Sequence, residues 1–211
     1  MTHLTPDWFQ RPATEVAPDL LGCTIVRQFG QFDSDDRFPG RISGCLSGRI
    51  VETEAYEPGD PACHAYRRRT ERNAAMFAPG GHSYIYLIYG VYHCFNVVTD
   101  GEGVGSAVLI RALELEPHPR LAQAGTPKQF QRLAAGPGKL CQVLDLDRTW
   151  NGLPLEPKSG LWIEPRSILV QKAIEVGREP IVQTTRIGLS QGKEYPWRWY
   201  LARSPAVSKK P

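Results

Sequence analysis

The most constraining stretch of this 211-residue chain is HSYIYLIYGVYHCFNVV, residues 82 to 98. Its residues alternate on both sides of Tyr89-Gly90, the pattern of two strands folded back on each other as a hairpin. Such a hairpin commits the chain to antiparallel pairing. Its turn, however, carries a tyrosine where Asn, Asp or Gly is favoured, because the central residues of tight hairpin turns need unusual backbone angles. A large ring there has a reason outside the turn: it presses into something brought to the protein, or it folds back onto the protein itself.

Other segments read as strands: CTIVRQF, RIVETEAY and SAVLIRALELE in the first half, with RIGLS and RWYLARS as extended pieces later. Residues 11–22 read as a short helix stopped by Gly22, with Pro18 disturbing its middle. PKQFQRLAAG and GKLCQVLDL read as helices. Residues 30–48, rich in Gly, Ser and Asp, read as a mobile surface excursion, and about 203–211 as a frayed tail. There is no internal repeat or linker, and 41% of the residues are hydrophobic, enough for one core. The expectation is one domain over residues 1–211 with an α+β fold: a curved, mostly antiparallel sheet flanked by helices, with a protruding hairpin.

Charge and cysteine usage narrow the function classes. The 25 Lys+Arg against 22 Asp+Glu give a net charge of +3, so the placement of charge says more than its sum. Cys23, Cys45, Cys63, Cys94 and Cys141 are odd in number and form no CxxC, which argues against a disulfide framework and against a zinc site. The N-terminus lacks a signal layout and no apolar run is long enough to cross a membrane. An intracellular protein with no metal and no cofactor is expected.

Chemistry gathers around RIVETEAY. In a strand, Glu52, Glu54 and Tyr56 share one face while Val51, Thr53 and Ala55 share the other. The competing reading is a solvated sheet face whose carboxylates pair with lysines and arginines. Close downstream stand His64, the run Arg67, Arg68, Arg69, then Arg72 and Asn73, and the tyrosines Tyr84, Tyr86, Tyr89 and Tyr92. Carboxylate, imidazole, guanidinium and aromatic surface together suit a site that grips a flat heterocycle and runs acid-base chemistry beside it.

The segments GRIVETEAY, HAYRRRTERN, YIYLIYGVYHCFN, LIRALE, GPGKLCQVL, RIGL and WYLARSPAVS occur in the order in which the alkyladenine (methylpurine, or 3-methyladenine) DNA glycosylases carry similar blocks. The chain resembles that family from about residue 19 to about residue 208. It departs in a longer loop between the first two strands, a shorter spacing between Tyr56 and His64, and the lack of an extended N-terminal tail.

The resemblance implies a monofunctional base-excision repair enzyme. It would flip 3-methyladenine, 7-methylguanine, hypoxanthine or ethenoadenine out of duplex DNA and hydrolyse the N-glycosidic bond. Glu54 matches the general base that activates water, and Arg111 the arginine supporting that centre. Tyr56, His64 and Tyr86 match the aromatic walls around the base, and Asn96 the side chain that crowds guanine's exocyclic amine. Tyr89 matches the residue that fills the gap left in the helix. No lysine lies at the centre, so water rather than an amine is the expected nucleophile. Arg67, Arg68, Arg69, Arg72, Met76, Tyr92 and Lys139 are further candidates for DNA contact. Met76 reads equally as core, the arginine run as a solvated face, His64 as a buried structural histidine and Asn96 as a strand-end hydrogen bond. Lys139 follows Gly136-Pro137-Gly138 at an expected helix start, where free backbone N–H groups can hold a phosphate.

The expected partner is double-stranded DNA carrying a damaged purine, met by a monomer without a membrane. Two other classes compete. One is a non-catalytic nucleic-acid binding module with the same fold, which gains nothing from Glu54. The other is a carbohydrate hydrolase using Glu52 and Glu54, about 6.5 to 7 Å apart along a strand.

Overall fold

The computed structural model describes residues 3–30, 44–123 and 125–210. Two short helices open the chain, α1 (Pro6–Phe9) and α2 (Ala13–Leu20). In α2, Ala13, Val16, Ala17 and Leu20 are buried at i, i+3, i+4 and i+7, one stripe facing the core. Pro18 is accommodated within α2, and Gly22 follows at φ +85°, where its N–H donates to the Ile50 carbonyl.

Strands β1 (Thr24–Phe29), β2 (Gly44–Tyr56), β3 (Ser83–Ile88), β4 (Tyr92–Thr99), β5 (Ser106–Leu115) and β6 (Leu161–Glu164) lie side by side in the order β3-β4-β5-β2-β1-β6. Strand β7 (Ile181–Thr184) pairs with β8 (Arg198–Leu201), and β8 pairs with β2 at Glu52–Glu54. All of these pairings are antiparallel, in one sheet of eight strands. Three further helices are α3 (Pro127–Gln131), α4 (Pro137–Leu144) and α5 (Ile168–Glu175). The result is a single α+β domain, as the alternation and mixed periodicities predict.

Several boundaries differ from the sequence reading. The strand expected at 49–56 begins at Gly44, because residues 44–49 pair with β1. The excursion expected over 30–48 is therefore ordered at its C-terminal end, and residues 31–43 lie outside the described residues. RIGLS is not a strand. The tail expected to fray is docked: Ser204, Ala206 and Val207 are buried, and Arg132 donates to the carbonyls of Pro205 (3.1 Å), Val207 (2.6 Å) and Ser208 (3.2 Å).

The main core lies where α2 and α4 cover the sheet, around Ile50, Val51, Ala55, Phe95, Ile110 and Leu140. Thr53 sits on the α2 side and satisfies its hydroxyl on the Ala17 carbonyl at 2.9 Å. A smaller cluster of Cys63, Met76, Tyr84, Val98 and Ala107 underlies the segment that connects β2 to β3. All five cysteines are free thiols. Among the described residues, no helix is long and apolar enough to cross a membrane.

Candidate active site

Strand register assembles the site. Tyr84 faces Asn96 across β3–β4, Asn96 faces Leu109 across β4–β5, Leu109 faces Glu54 across β5–β2, and Glu54 faces Arg198 across β2–β8. Directly opposed residues project from the same side of a sheet, so these five form one row. Steps of two along each strand add Tyr86, Cys94, Arg111, Glu52 and Tyr56 to the same face. A register irregularity in β2 between Ile50 and Thr53 lies beside this row, and bulges of this kind re-aim side chains.

The two carboxylates differ sharply in role. Both are fully buried, so neither lies on a solvated face. Glu52 accepts from Arg111 Nε (2.8 Å), Arg198 Nε (2.8 Å), the Ser208 hydroxyl (2.8 Å) and the Ser208 backbone N–H (2.6 Å). Burial alone would raise its pKa. The combined pull of Arg111, the Ser208 N–H, Arg198 and the Ser208 hydroxyl outweighs burial and holds the carboxyl below its ordinary value of 4.5. A carboxylate has about four acceptor positions, and those of Glu52 are spent on holding β5, β8 and the C-terminal segment together. It is therefore unsuited to the second acid of a carbohydrate hydrolase.

Glu54 is held more sparingly. Its Oε2 accepts from the Tyr56 hydroxyl at 2.9 Å and lies 3.2 Å from Arg111 Nη1, and its Oε1 accepts from the Ile187 N–H at 2.8 Å. Two hydrogen bonds and one ion-pair contact leave acceptor capacity unused on Oε1. Burial, with Glu54 beside it, raises the Tyr56 pKa well above 10, so its hydroxyl keeps the proton it donates. Arg111 bridges both carboxylates. Burial lowers its pKa, but Glu54 and Glu52 together more than reverse that, so it stays charged.

Two cavities flank the Tyr56 and Tyr86 rings. The smaller, about 250 Å³, is lined by Tyr56, His64, Arg72, Met76, Tyr84, Tyr86, Tyr89 and Asn96 among others. All four residues proposed from sequence as base-binding therefore meet at one hollow. The larger, about 470 Å³, is lined by Arg111, Tyr56 and Ile187, the three groups that hold Glu54, and by Tyr86, Tyr89, Tyr92 and Lys139.

His64 is exposed on its outer side rather than a buried structural histidine. Its Nδ1 is 2.8 Å from the Tyr84 hydroxyl and its ring meets Tyr86 edge-on at 4.5 Å. Burial of its inner side, with Arg72 nearby, holds it below its ordinary 6.5, so the ring is neutral at pH 7. Asn96 spends its amide N–H groups on the Tyr84 carbonyl (3.0 Å) and the Cys94 carbonyl (3.4 Å), which fixes it in the cavity wall.

The remaining candidates scatter around this centre. Arg67, Arg68 and Arg72 border a third hollow of about 300 Å³ that shares His64 and Tyr84 with the smaller cavity. Arg69 instead lies over Phe77 at 5.8 Å. Met76 is buried in the small cluster, where it also lines the smaller cavity. Lys139 is exposed at the start of α4, where the Tyr92 ring packs so closely on Gly138 that a Cβ would lie 3.0 Å from it. At the turn, Tyr89 is 84% exposed and sits at φ +53° with Gly90 at φ +72°. Both central positions thus have the left-handed angles of a type I′ turn, and the tyrosine does not fold back.

Sequence reasoning missed the supports behind these residues: Ser208 and Arg198 on Glu52, and Arg186, whose guanidinium lies 4.7 Å from the Tyr56 ring centre. Burial and a charge partner far along the chain leave no local pattern to read.

A model of the methylpurine-DNA glycosylases matches residues 7–205. The chain belongs to the methylpurine-DNA glycosylase family. A protein of Trichodesmium erythraeum named "Putative 3-methyladenine DNA glycosylase" is 51% identical over 207 residues, covering 96% of this chain and 95% of its own length. Proteins of the same name from Synechococcus sp. (strain JA-3-3Ab) and Carboxydothermus hydrogenoformans are 50% and 43% identical. The first covers 96% of this chain and 97% of its own length, the second 98% and 99%. This methylpurine-DNA glycosylase is thus a hydrolase of N-glycosyl bonds in DNA, and the buried carboxylate beside two cavities is its candidate centre.

Proposed function

We propose that the chain rotates alkylated or deaminated purines out of double-stranded DNA, seats them against Tyr56, Tyr86 and His64, and hydrolyses the N-glycosidic bond with water activated by Glu54. The observation that carries this reading is the coordination of Glu54: two hydrogen bonds and the Arg111 ion pair orient it, and acceptor capacity remains on Oε1 for the proton of a water. As the base departs, the sugar gains oxocarbenium character, which a nearby carboxylate stabilises. Arg111, charged and 3.2 Å from Oε2, helps hold that carboxylate in place.

The aromatic walls favour 3-methyladenine and 7-methylguanine, whose positive charge gains about 0.5 to 2 kcal/mol on electron-rich rings. A neutral His64 does not repel them. Asn96, locked by its own hydrogen bonds, crowds the exocyclic amine of an undamaged guanine. Hypoxanthine and ethenoadenine lack the charge, and their release depends more on hydrogen bonding to the purine ring. The test is a set of duplexes, each with one lesion. Strand breaks at the lesion are expected only after alkali, faster for cationic than for neutral lesions. Breaks without alkali would point to an amine nucleophile, and no breaks at all would remove the assignment.

The turn supplies a second prediction. Left-handed angles cost a non-glycine residue about 1 kcal/mol, and Tyr89 buries almost nothing in return. Tyr89→Asn should therefore keep or slightly raise the unfolding midpoint, because Asn tolerates φ > 0. It should also lower lesion affinity, because nothing then fills the gap in the base stack. 2-Aminopurine beside the lesion reports the unstacking. Equal signals and equal affinities for Tyr89→Asn and wild type would show that the ring is not a wedge.

A further inference from the structure

Arg186 lies outside the candidate centre yet is buried, with its guanidinium completely enclosed. It makes a two-pronged pair with Asp60, Nη1 to Oδ2 and Nη2 to Oδ1, the latter at 2.8 Å. Nη1 also donates to the Ala55 carbonyl (2.9 Å) and Nη2 to the Gly192 carbonyl (3.1 Å). The end of β2, the segment after it, and the loop before β8 are thus tied at one point. The position is telling. Ala55 stands between Glu54 and Tyr56, the guanidinium lies against the Tyr56 ring, and Ile187, the next residue, donates its N–H to Glu54 Oε1.

We infer that Arg186 is a positioning residue: through the Ile187 N–H and the Tyr56 hydroxyl it sets the orientation of Glu54. This rests on the reading of Glu54 as general base. Both hydrogen bonds that Glu54 accepts come from groups that Arg186 holds. A lysine cannot replace it, since an ammonium lacks the planar fork that engages both carboxylate oxygens and two carbonyls at once. Gly192 offers a separate handle. At φ +59°, a Cβ there would lie 2.8 Å from Asp60 Oδ1 and 2.9 Å from Arg186 Nη2, so Gly192→Ala pushes on the clamp without altering any charge.

The test is single-turnover excision from a lesion duplex at saturating enzyme, with rate constant and amplitude read separately. A variant that only loses folded molecules loses amplitude, while its folded fraction reacts at the wild-type rate constant. Arg186→Lys is expected to lower the rate constant about 10²-fold and Gly192→Ala about tenfold, as misplacement of a reacting group does. The Kd for the lesion duplex, measured with Glu54→Gln also present so that no base is released, should stay near that of Glu54→Gln alone. If Arg186→Lys does not fold, Gly192→Ala decides. Wild-type rate constants with reduced amplitudes would overturn the inference. A wild-type rate in Glu54→Gln itself would instead overturn the general-base reading on which it rests.

Discussion

Glu54→Gln is expected to lower the single-turnover rate of base excision by about 10²- to 10⁴-fold, the usual loss when a positioned acid-base group is removed. The carboxamide has the volume of the carboxylate but cannot take a proton from water, and it presents an N–H group where the carboxylate offers only acceptors. One of its neighbours, the Ile187 N–H, the Tyr56 hydroxyl or Arg111, then meets a donor instead of an acceptor. The folding cost should remain about 1 to 3 kcal/mol, that of one poorly satisfied buried group, because Arg111 keeps its bond to Glu52. Rates corrected for folded fraction check this. A variant within a few-fold of wild type would mean that the proton goes elsewhere.

Glu52→Gln should show the opposite balance. Removing this charge leaves Arg198 buried opposite a neutral group, leaves Arg111 only its contact with Glu54, and weakens both bonds from Ser208. Breaking a buried ion pair from one side typically costs about 3 to 5 kcal/mol, a large share of the stability of a domain this size. Urea unfolding followed by tryptophan fluorescence should show a much lower midpoint, and amide exchange should show residues 204–208 opening before the sheet. The surviving folded fraction should excise faster than Glu54→Gln. An unchanged midpoint would mean that the tail and the two arginines hold without Glu52.

The contrast between the two carboxylates shows what the sequence could express. Period-two alternation put Glu52, Glu54 and Tyr56 on one face and Tyr84, Tyr86 and Tyr92 in paired strands, because side-chain direction in a strand is local. The family resemblance then distinguished Glu54 from Glu52. What local pattern could not express is which distant groups dock on that face. Ser208 meets Glu52 across 156 positions and Arg186 meets Asp60 across 126. The docked tail was the costliest misreading: its Pro- and Lys-rich composition resembles a disordered end, yet Ala206 and Val207 are buried because Glu52 anchors the residue that follows them. The four-residue strands β6 and β7 and the helix α5, which buries no residue fully, carry too little periodic signal to be seen alone. At the turn, Tyr89 broke a local rule, and the backbone angles show that it does so at a real cost in strain. Departures of that kind point to function.

The central claim is that flipping and hydrolysis are separate steps and that Glu54 serves the second. Stopped-flow mixing of the enzyme with a duplex carrying 2-aminopurine beside a single lesion, with base release followed in the same reaction, tests it most directly. The account predicts that Glu54→Gln gives the wild-type rise in fluorescence, showing that the base has left the stack, with base release slowed by about 10²-fold or more. Wild-type release by Glu54→Gln, or no rise in fluorescence with either protein, would contradict it.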